Sequence, residues 1–437
     1  MTDLPPGWAW ATLGEIASTQ LGKMLSKKSK AGVRSRPYLR NKNVQWHRFD
    51  LDDVVDMDFT EEESAKFDLR AGDLLVCEGG EVGRCATWSA QMPDMHFQKA
   101  LHRVRPTSGI HVKYLEYWLR WSADTGRFAG FTTGSTIGHL PQQDLRRLVV
   151  PLAPSGEQQR IVAAIEERFS WLDSAGASLN QAQRNVDRLR RAAVERLFAS
   201  RDWAWTTLGE IAELKGGVTK DAKRQGDATF VMVPYLRVAN VQRGRLDLTA
   251  VTTIRVSPDK AKALRLERGD VLFNEGGDRD KLGRGWVWED QIADCIHQNH
   301  VFRARLLTDR FDPYFVSTHA NTWGQRWFEQ HGRQTTNLAS ISLSVLKQFP
   351  VPAPGPTEQR AVMANLDQIT EGLDRLQSSL TSHHRHTEAL RRSILAAAFS
   401  GRLVAQDPDD EPASVLLERI KAERASAGPS RGKKATT

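Results

Sequence analysis

Apolar and polar positions along this chain follow a short period, then a long one, and then both again. Trp8, Trp10 and Thr12 alternate with small residues, as in a half-buried strand. Leu74-Leu75-Val76-Cys77 follows a Gly72-Asp73 turn as an unbroken apolar run, which reads as a buried strand. Residues 100–104 read as another strand, and 112–121 as a helix with Leu115, Trp118, Leu119 and Ser122 at helical spacing. Val149-Val150-Pro151 reads as an edge strand closing the unit before a proline-containing turn. Residues 203–353 repeat this plan, so the expected fold class is α+β, with two similar mixed α/β domains.

After each domain the period lengthens. Residues 157–198 contain no proline, and Leu172, Ala175, Leu179, Ala182, Val186, Leu189 and Ala193 are spaced by alternating threes and fours. Leu366, Ile369, Leu373, Leu376, Leu380, His383, Thr387, Leu390, Ile394 and Ala397 do the same. These are heptad seams. Each predicts a helix of about 40 residues and about 60 Å at 1.5 Å per residue. A lone helix cannot bury such a seam, so the two are expected to pair as an antiparallel coiled coil. That pairing would set the domains at its opposite ends, related by a pseudo-two-fold. The alternative is that each helix packs back on its own domain. His383 and Thr387 within the second seam read as register-fixing polar residues; a metal site with His384 and His386 is the other reading. Beyond Asp407-Pro408-Asp409-Asp410-Glu411-Pro412, residues 413–425 predict a short helix whose apolar side is Leu416, Leu417 and Ile420.

The recurrence extends to residue identity. Trp8-Ala9-Trp10-Ala11-Thr12-Leu13-Gly14-Glu15-Ile16-Ala17 returns at 203–212 with one difference, Thr206 for Ala11. Pro37-Tyr38-Leu39-Arg40 returns at 234–237, Gly72-Asp73 at 269–270, Glu78-Gly79-Gly80 at 275–277 and Gly83-Arg84 at 283–284. Trp88, Gln98, Arg103, Arg105 and Tyr114 align with Trp288, Gln298, Arg303, Arg305 and Tyr314, and Glu157-Gln158 with Glu358-Gln359. The offset drifts from 195 to 201, as small loop insertions would cause. A period near 200 residues means a duplicated domain with its connector, not a solenoid.

Composition narrows the class. Net charge is +8 in 437 residues, which suits a polyanionic partner without requiring one. No run of 18 apolar residues and no basic-then-apolar leader is visible, and three cysteines without paired spacing fit a reducing cytoplasm. Catalytic motifs are missing. There is no Asn/Asp/Ser-Pro-Pro-aromatic loop for base methylation and no phosphate-binding Gly-x-x-x-x-Gly-Lys-Ser/Thr. Glu213-Leu214-Lys215 imitates half of a nuclease site, but the first repeat has Ser18 and Gln20 there.

What the repeats share is a set of polar loops marked by glycines. Residues 78–84 match 275–284, a longer loop, and Arg84, Lys281 and Arg284 are of a type that reaches guanine edges or phosphates. A hairpin turn with an exposed arginine is the plain alternative. Arg40, Asn41, Lys42 and Asn43 form a second loop, echoed by Arg237 and Asn240. Gln98-Lys99 and Gln298-Asn299 offer amides suited to adenine. A third loop holds Thr133, Ser135 and Thr136 in the first half, and Arg333, Gln334 and Thr336 in the second. The tryptophan pairs 8/10 and 203/205 read as core, with base stacking as the alternative.

These features together resemble the specificity (S) subunits of type I restriction–modification systems. The likeness is carried by the Trp-x-x-x-x-Leu-Gly-Glu-Ile openings, the Gly-Asp-apolar segments, the Gly134-Ser135-Thr136 turn and the Glu-Gln helix openings at 157 and 358. The tail Gly401-Arg402-Leu403-Val404 with Asp410-Glu411-Pro412-Ala413 and Leu416-Leu417 also fits. The second half departs from it, with Gln334-Thr335-Thr336-Asn337 in place of Gly-Ser-Thr.

The resemblance implies target-recognition domains at 1–155 and 202–353, spacer helices at 156–201 and 354–405, and a tail at 406–437. It implies a bipartite, asymmetric double-stranded DNA site. It also implies docking to two methyltransferase (M) subunits and, through them, restriction (R) subunits. S-adenosylmethionine, ATP and magnesium would sit on those partners, with no cofactor, metal or catalytic residue on this chain. A fused modifying enzyme with an unrecognised motif, and a scaffold that binds protein instead of DNA, are the alternatives.

Overall fold

The apolar run Leu74–Cys77 is a strand with all four residues buried, and the first half is organised around it. The computed structural model describes residues 4–26, 32–129, 138–198, 202–221, 225–334 and 339–426. Contacts divide the chain into two units, residues 1–179 with 382–437, and residues 180–381.

In the first unit an antiparallel sheet runs in the order Ala17–Leu21, Leu101–Pro106, Leu74–Cys77, Cys85–Thr87. A second sheet sets Ser35–Leu39 between Val55–Asp58 and His96–Phe97, the latter parallel. Ala9–Thr12 pairs with Val149–Leu152, which closes the domain end to end. The helix Val112–Asp124 buries Tyr114, Leu115, Trp118 and Leu119, one face of the expected periodicity. Trp8 is buried just ahead of its strand, and its indole N–H donates to Glu157 at 2.9 Å. Burial raises the Glu157 pKa, and the tryptophan donor opposes that rise.

The second unit repeats this order with Ala212–Gly216, Val301–Leu306, Val271–Asn274 and Gly285–Val287. Val231–Leu236 lies between Thr252–Val256 and Ile296–His297, and Trp205–Thr207 pairs with Pro350–Pro352. Trp205 departs from the core reading. It is 50% exposed and rests on Trp323 with ring centroids 5.5 Å apart. Tyr114 does not recur as Tyr314 in packing. Tyr114 lies against Trp8, and Phe315 takes that place against Trp203, while the Tyr314 hydroxyl donates to Glu289.

Several recurrent residues prove to be framework. Gly72 and Gly269 turn the chain at φ +89° and +91°, which a side chain rarely adopts. The aspartates after them are each 1% exposed. Asp73 accepts from Arg105 at 2.6 and 2.8 Å, and Asp270 accepts from Arg305 twice at 2.8 Å. In both, a buried carboxylate is held at two points by a half-buried arginine. Gln158 accepts from the His111 backbone N–H and donates to the Ala153 carbonyl; Gln359 accepts from Asp312 and donates to Arg310 and Pro354. Each glutamine therefore fastens a long helix to its own domain.

The long helices are Ser155–Phe198 and Pro356–Ala398. Segments of both occur in each unit and run antiparallel there. In the first unit Ile161, Ile165 and Phe169 share a core with Leu395, Ala398 and Phe399, and Arg391 pairs with Asp173. In the second, Arg190 pairs with Asp374 at 2.6 Å, and Gln183 and Gln377 exchange amide hydrogen bonds at 2.5 and 2.8 Å. Arg190 and Arg391, like Asp173 and Asp374, are 201 residues apart, so one ion pair is used in both units. The helices thus do both things expected of them as alternatives: their first turns pack on their own domains, and the rest pair.

The seam differs from the heptad reading at one row. Leu189, Leu376 and Leu390 are exposed by 57%, 52% and 39%, and Ala175 and His383 are exposed as well. The neighbouring row, Gly176, Gln183 and Arg190 with Gln377, His384 and Arg391, is half-buried instead. A strict seven-residue row drifts by about 20° per heptad around a straight helix. Gln183 and Gln377 are part-buried between the helices, and the two Arg–Asp pairs lie along the exposed flank. His383 is therefore not a buried register residue. No group of three His, Cys, Asp or Glu able to hold a metal occurs among the described residues.

The tail helix Ala413–Ser426 buries Leu416, Leu417 and Ile420, the face read from the sequence. Ala413 N–H donates to the Gly7 carbonyl at 2.8 Å, Arg424 to the Gly14 carbonyl at 2.6 Å, and Arg160 pairs with Asp410 at 2.7 Å. No described helix is long and apolar enough to cross a membrane.

Candidate nucleic-acid interface

The polar loops singled out in the sequence come together in each unit. In the first, Asn41 donates to the Gly79 carbonyl at 2.7 Å, and Arg84 donates to the Asn41 backbone and side-chain oxygens at 3.1 and 3.0 Å. Glu78 N–H donates to Ala100, and Gly79 bridges to His139. Loops 40–43, 78–84 and 98–100 therefore form one surface with residues 138–139. Its glycines are used where the backbone crowds. A Cβ on Gly83, at φ +82°, would stand 2.3 Å from the Phe128 ring.

Individual residues sort into two groups. Asn43 is 1% exposed; its carbonyl accepts from Arg40 N–H, and its amide donates to the Asp50 and Asp53 carbonyls. Asn240 makes the same three bonds, to Arg237, Asp247 and Ala250. Both amides pin their own loop, with each polar atom of the amide hydrogen-bonded internally. Arg84 is also tied down, with a side chain 17% exposed and a third bond to Glu81. Arg40 and Lys42 share Asp53. Gln98 is half-buried, and the Lys99 side chain is exposed. Thr133, Ser135, Thr136 and Thr336 lie outside the described residues.

In the second unit the corresponding surface includes three short strands among the described residues. Gly276–Gly277 pairs with Ala339–Ser340, which pairs in turn with Arg333–Gln334. Arg333 is exposed there. Lys281 is paired with Asp278. Arg284 and Arg237 are half-buried, and burial lowers the Arg284 pKa against the pull of Asp280 and Asp278. Asn299 and Gln298 are half-buried at the adjoining turn. Beside them His300, which the repeat pattern did not single out, is held by the Glu275 carboxylate at 2.5 Å. The available signal was Glu275 itself, which recurs as Glu78 while His300 has Ala100 opposite.

Comparison with known proteins agrees with this architecture. Residues 5–181 and 200–382 each match the type I restriction modification DNA specificity domain. The type I restriction enzyme EcoKI specificity subunit of Escherichia coli K12 is 24% identical, over 99% of this chain and 98% of its own. The StySPI specificity subunit of Salmonella potsdam is 24% identical over 97% of each chain. A chain from a structural study of type I R-M complex assembly and conformational transition superposes with a TM-score of 0.72 at 18% identity, covering 92% of this chain and all of that one. The HsdS subunit of Thermoanaerobacter tengcongensis gives 0.58 at 18%, over 92% and 98%. Those two share the fold. With both halves matched in order and nearly full length covered, the chain belongs to the family of type I restriction–modification specificity subunits.

Proposed function

We propose that this chain is the DNA-reading, non-catalytic subunit of a type I complex, each unit reading one half of an asymmetric bipartite duplex site in the cytoplasm. The observation that carries this is the loop surface, built twice on one framework but finished with different side chains. Equal frameworks place the readers alike, and unequal readers select different bases. Methyltransferase subunits supply S-adenosylmethionine and modify adenine; restriction subunits, where they join, supply ATP- and magnesium-dependent work. Leu189 and Leu376 in the second unit, and Trp171 and Leu390 in the first, are large apolar side chains exposed on the long helices. Such positions suit docking of partner helices.

Exchange of residues 1–155 for those of a relative, co-expressed with the methyltransferase subunit, tests the reading. Methylation mapping should show one half-site changed and the other retained. A change in both halves, or in neither, would overturn modular readout. The purified chain alone should transfer no methyl group.

A further inference from the structure

The two units differ most usefully at one turn. In the second, the Glu275 carboxylate lies 2.5 Å from Nδ1 of His300, whose Nε2 lies 3.3 Å from Nδ2 of Asn299. Glu275 is seated by backbone bonds on both sides: its N–H donates to His300 and its carbonyl accepts from Ile341. A carboxylate accepts only, so Nδ1 carries a proton, and in the neutral ring Nε2 is the acceptor. The Asn299 amide then donates to Nε2, which fixes which end of the amide is nitrogen and which is oxygen. The His300 side chain is 54% exposed. In the first unit Glu78 is present, but Lys99 and Ala100 occupy the other two places, so nothing there can build the same chain.

We propose that Glu275 and His300 are positioning residues that orient the Asn299 amide as a base-reading group of the second half-site, with adenine as the base class. A fixed amide offers one donor and one acceptor, the complement of the adenine N6 and N7 edge in the major groove. Lys99, a point charge with donors only, cannot match that edge at the equivalent place. The inference rests on the proposed reading that these loops face DNA.

The test uses the full chain with its methyltransferase subunit and a randomised target library. Asn299→Ala should relax one position of the second half-site, by roughly tenfold in discrimination. His300→Ala should relax the same position more weakly, and His300→Gln, whose carbonyl can still accept from Asn299, should restore it. A purely structural role for His300 would not give selective rescue at a single base position. The first half-site should stay unchanged throughout. An unaltered second half-site in Asn299→Ala, or a uniform loss over all sequences, would overturn the proposal. Exchange of residues 202–353 in parallel separates the failures. If the exchange moves the second half-site while the point variants do not, only the relay is wrong. If the exchange moves nothing, the underlying DNA reading is wrong.

Discussion

Asp73 with Arg105 and Asp270 with Arg305 are one ion pair made twice, whereas Lys99 and Ala100 in the first unit stand where the second has Asn299 and His300. The same contrast recurs elsewhere. Trp88 and Trp288 are both fully buried, and Asn43 and Asn240 make identical bonds. The loop after Gly80 is shorter than the loop after Gly277, and its partners differ. Recurrence at these residues marks what holds the fold, and under the proposed reading the divergent loop residues are the ones that meet DNA.

A second contrast concerns what covers each unit. In the first, the tail helix lies on the opening strand and short helix; Ala11 is 2% exposed, and Leu416 would be struck by any Cβ on Gly109. In the second, Thr206 replaces Ala11, and Arg310 replaces Gly109 and lies 5.7 Å over the Phe311 ring. The first surface is apolar and covered by helix, whereas the second carries Thr206 and Arg310 at the equivalent places.

The framework half of the comparison should break most severely. Asp73→Ala and Asp270→Ala each remove a buried carboxylate and the three hydrogen bonds it accepts, two from a half-buried arginine and one from a backbone N–H, a loss of about 3–5 kcal/mol. Site-resolved hydrogen exchange should show protection falling in the sheet that carries the substitution. A mild effect at one site only would mean that the two pairs are not equivalent.

The covering half is next. Leu416→Ala should cost about 3 kcal/mol, since it removes a buried side chain from the core of the first unit. Arg310→Ala should cost about 0.5 kcal/mol, the scale of an exposed cation over a ring. Urea unfolding of both variants compares them directly, and equal costs would contradict the account of the two surfaces.

Acid should separate the units by a smaller amount. Glu116 is buried against His47, Lys113 and Thr87, while the second unit has Ser317 in its place. Burial alone would raise its pKa, but the His47 bond and the Lys113 charge outweigh burial and hold it below 4.5. A depressed carboxylate stabilises above its unfolded pKa and loses that contribution as pH falls through the folded value. Glu116→Gln should therefore cost about 2 kcal/mol at neutral pH. The difference from the parent should close below about pH 4.5. A difference that stays constant with pH would assign the effect to shape rather than charge.

Element types were legible in the sequence because alternation and three-four spacing report burial directly. The strand at Leu74–Cys77, the helix read at 112–121 and found at Val112–Asp124, and the apolar face of the tail all follow from pattern. One row of the heptad seam was legible in the long helices: Leu172, Leu179 and Val186, with Leu366, Leu373 and Leu380, are buried or half-buried. The other was not, since Leu189, Leu376 and Leu390 satisfy the heptad equally well and yet are exposed. In the loops, residue type pointed to DNA for Asn43 and Asn240, yet type cannot distinguish an amide that binds a ligand from one that closes a turn. His300 was invisible for the opposite reason. It matters through its neighbours Glu275 and Asn299, and a repeat comparison highlights identity rather than a chain of contacts.

The smallest effect sharpens the comparison along the helices. Gly176 and Gly372 sit inside helical segments of the first and second unit, and a Cβ at either would meet no atom within 4 Å. Neither has a positive φ, so neither is needed for a turn. Glycine inside a helix is less favourable than alanine by about 1 kcal/mol, chiefly through the freedom it loses on folding. Gly176→Ala and Gly372→Ala should each raise the thermal unfolding temperature of the isolated chain. They lie at unequal places in the repeat, opposite Gln377 and Trp171 respectively, so symmetry of the fold does not require them. Methylation by the assembled complex should stay at the parental level for both. A stabilised chain whose methylation falls would identify that glycine as a point where a partner approaches the helix backbone, and would place the docking surface on its face.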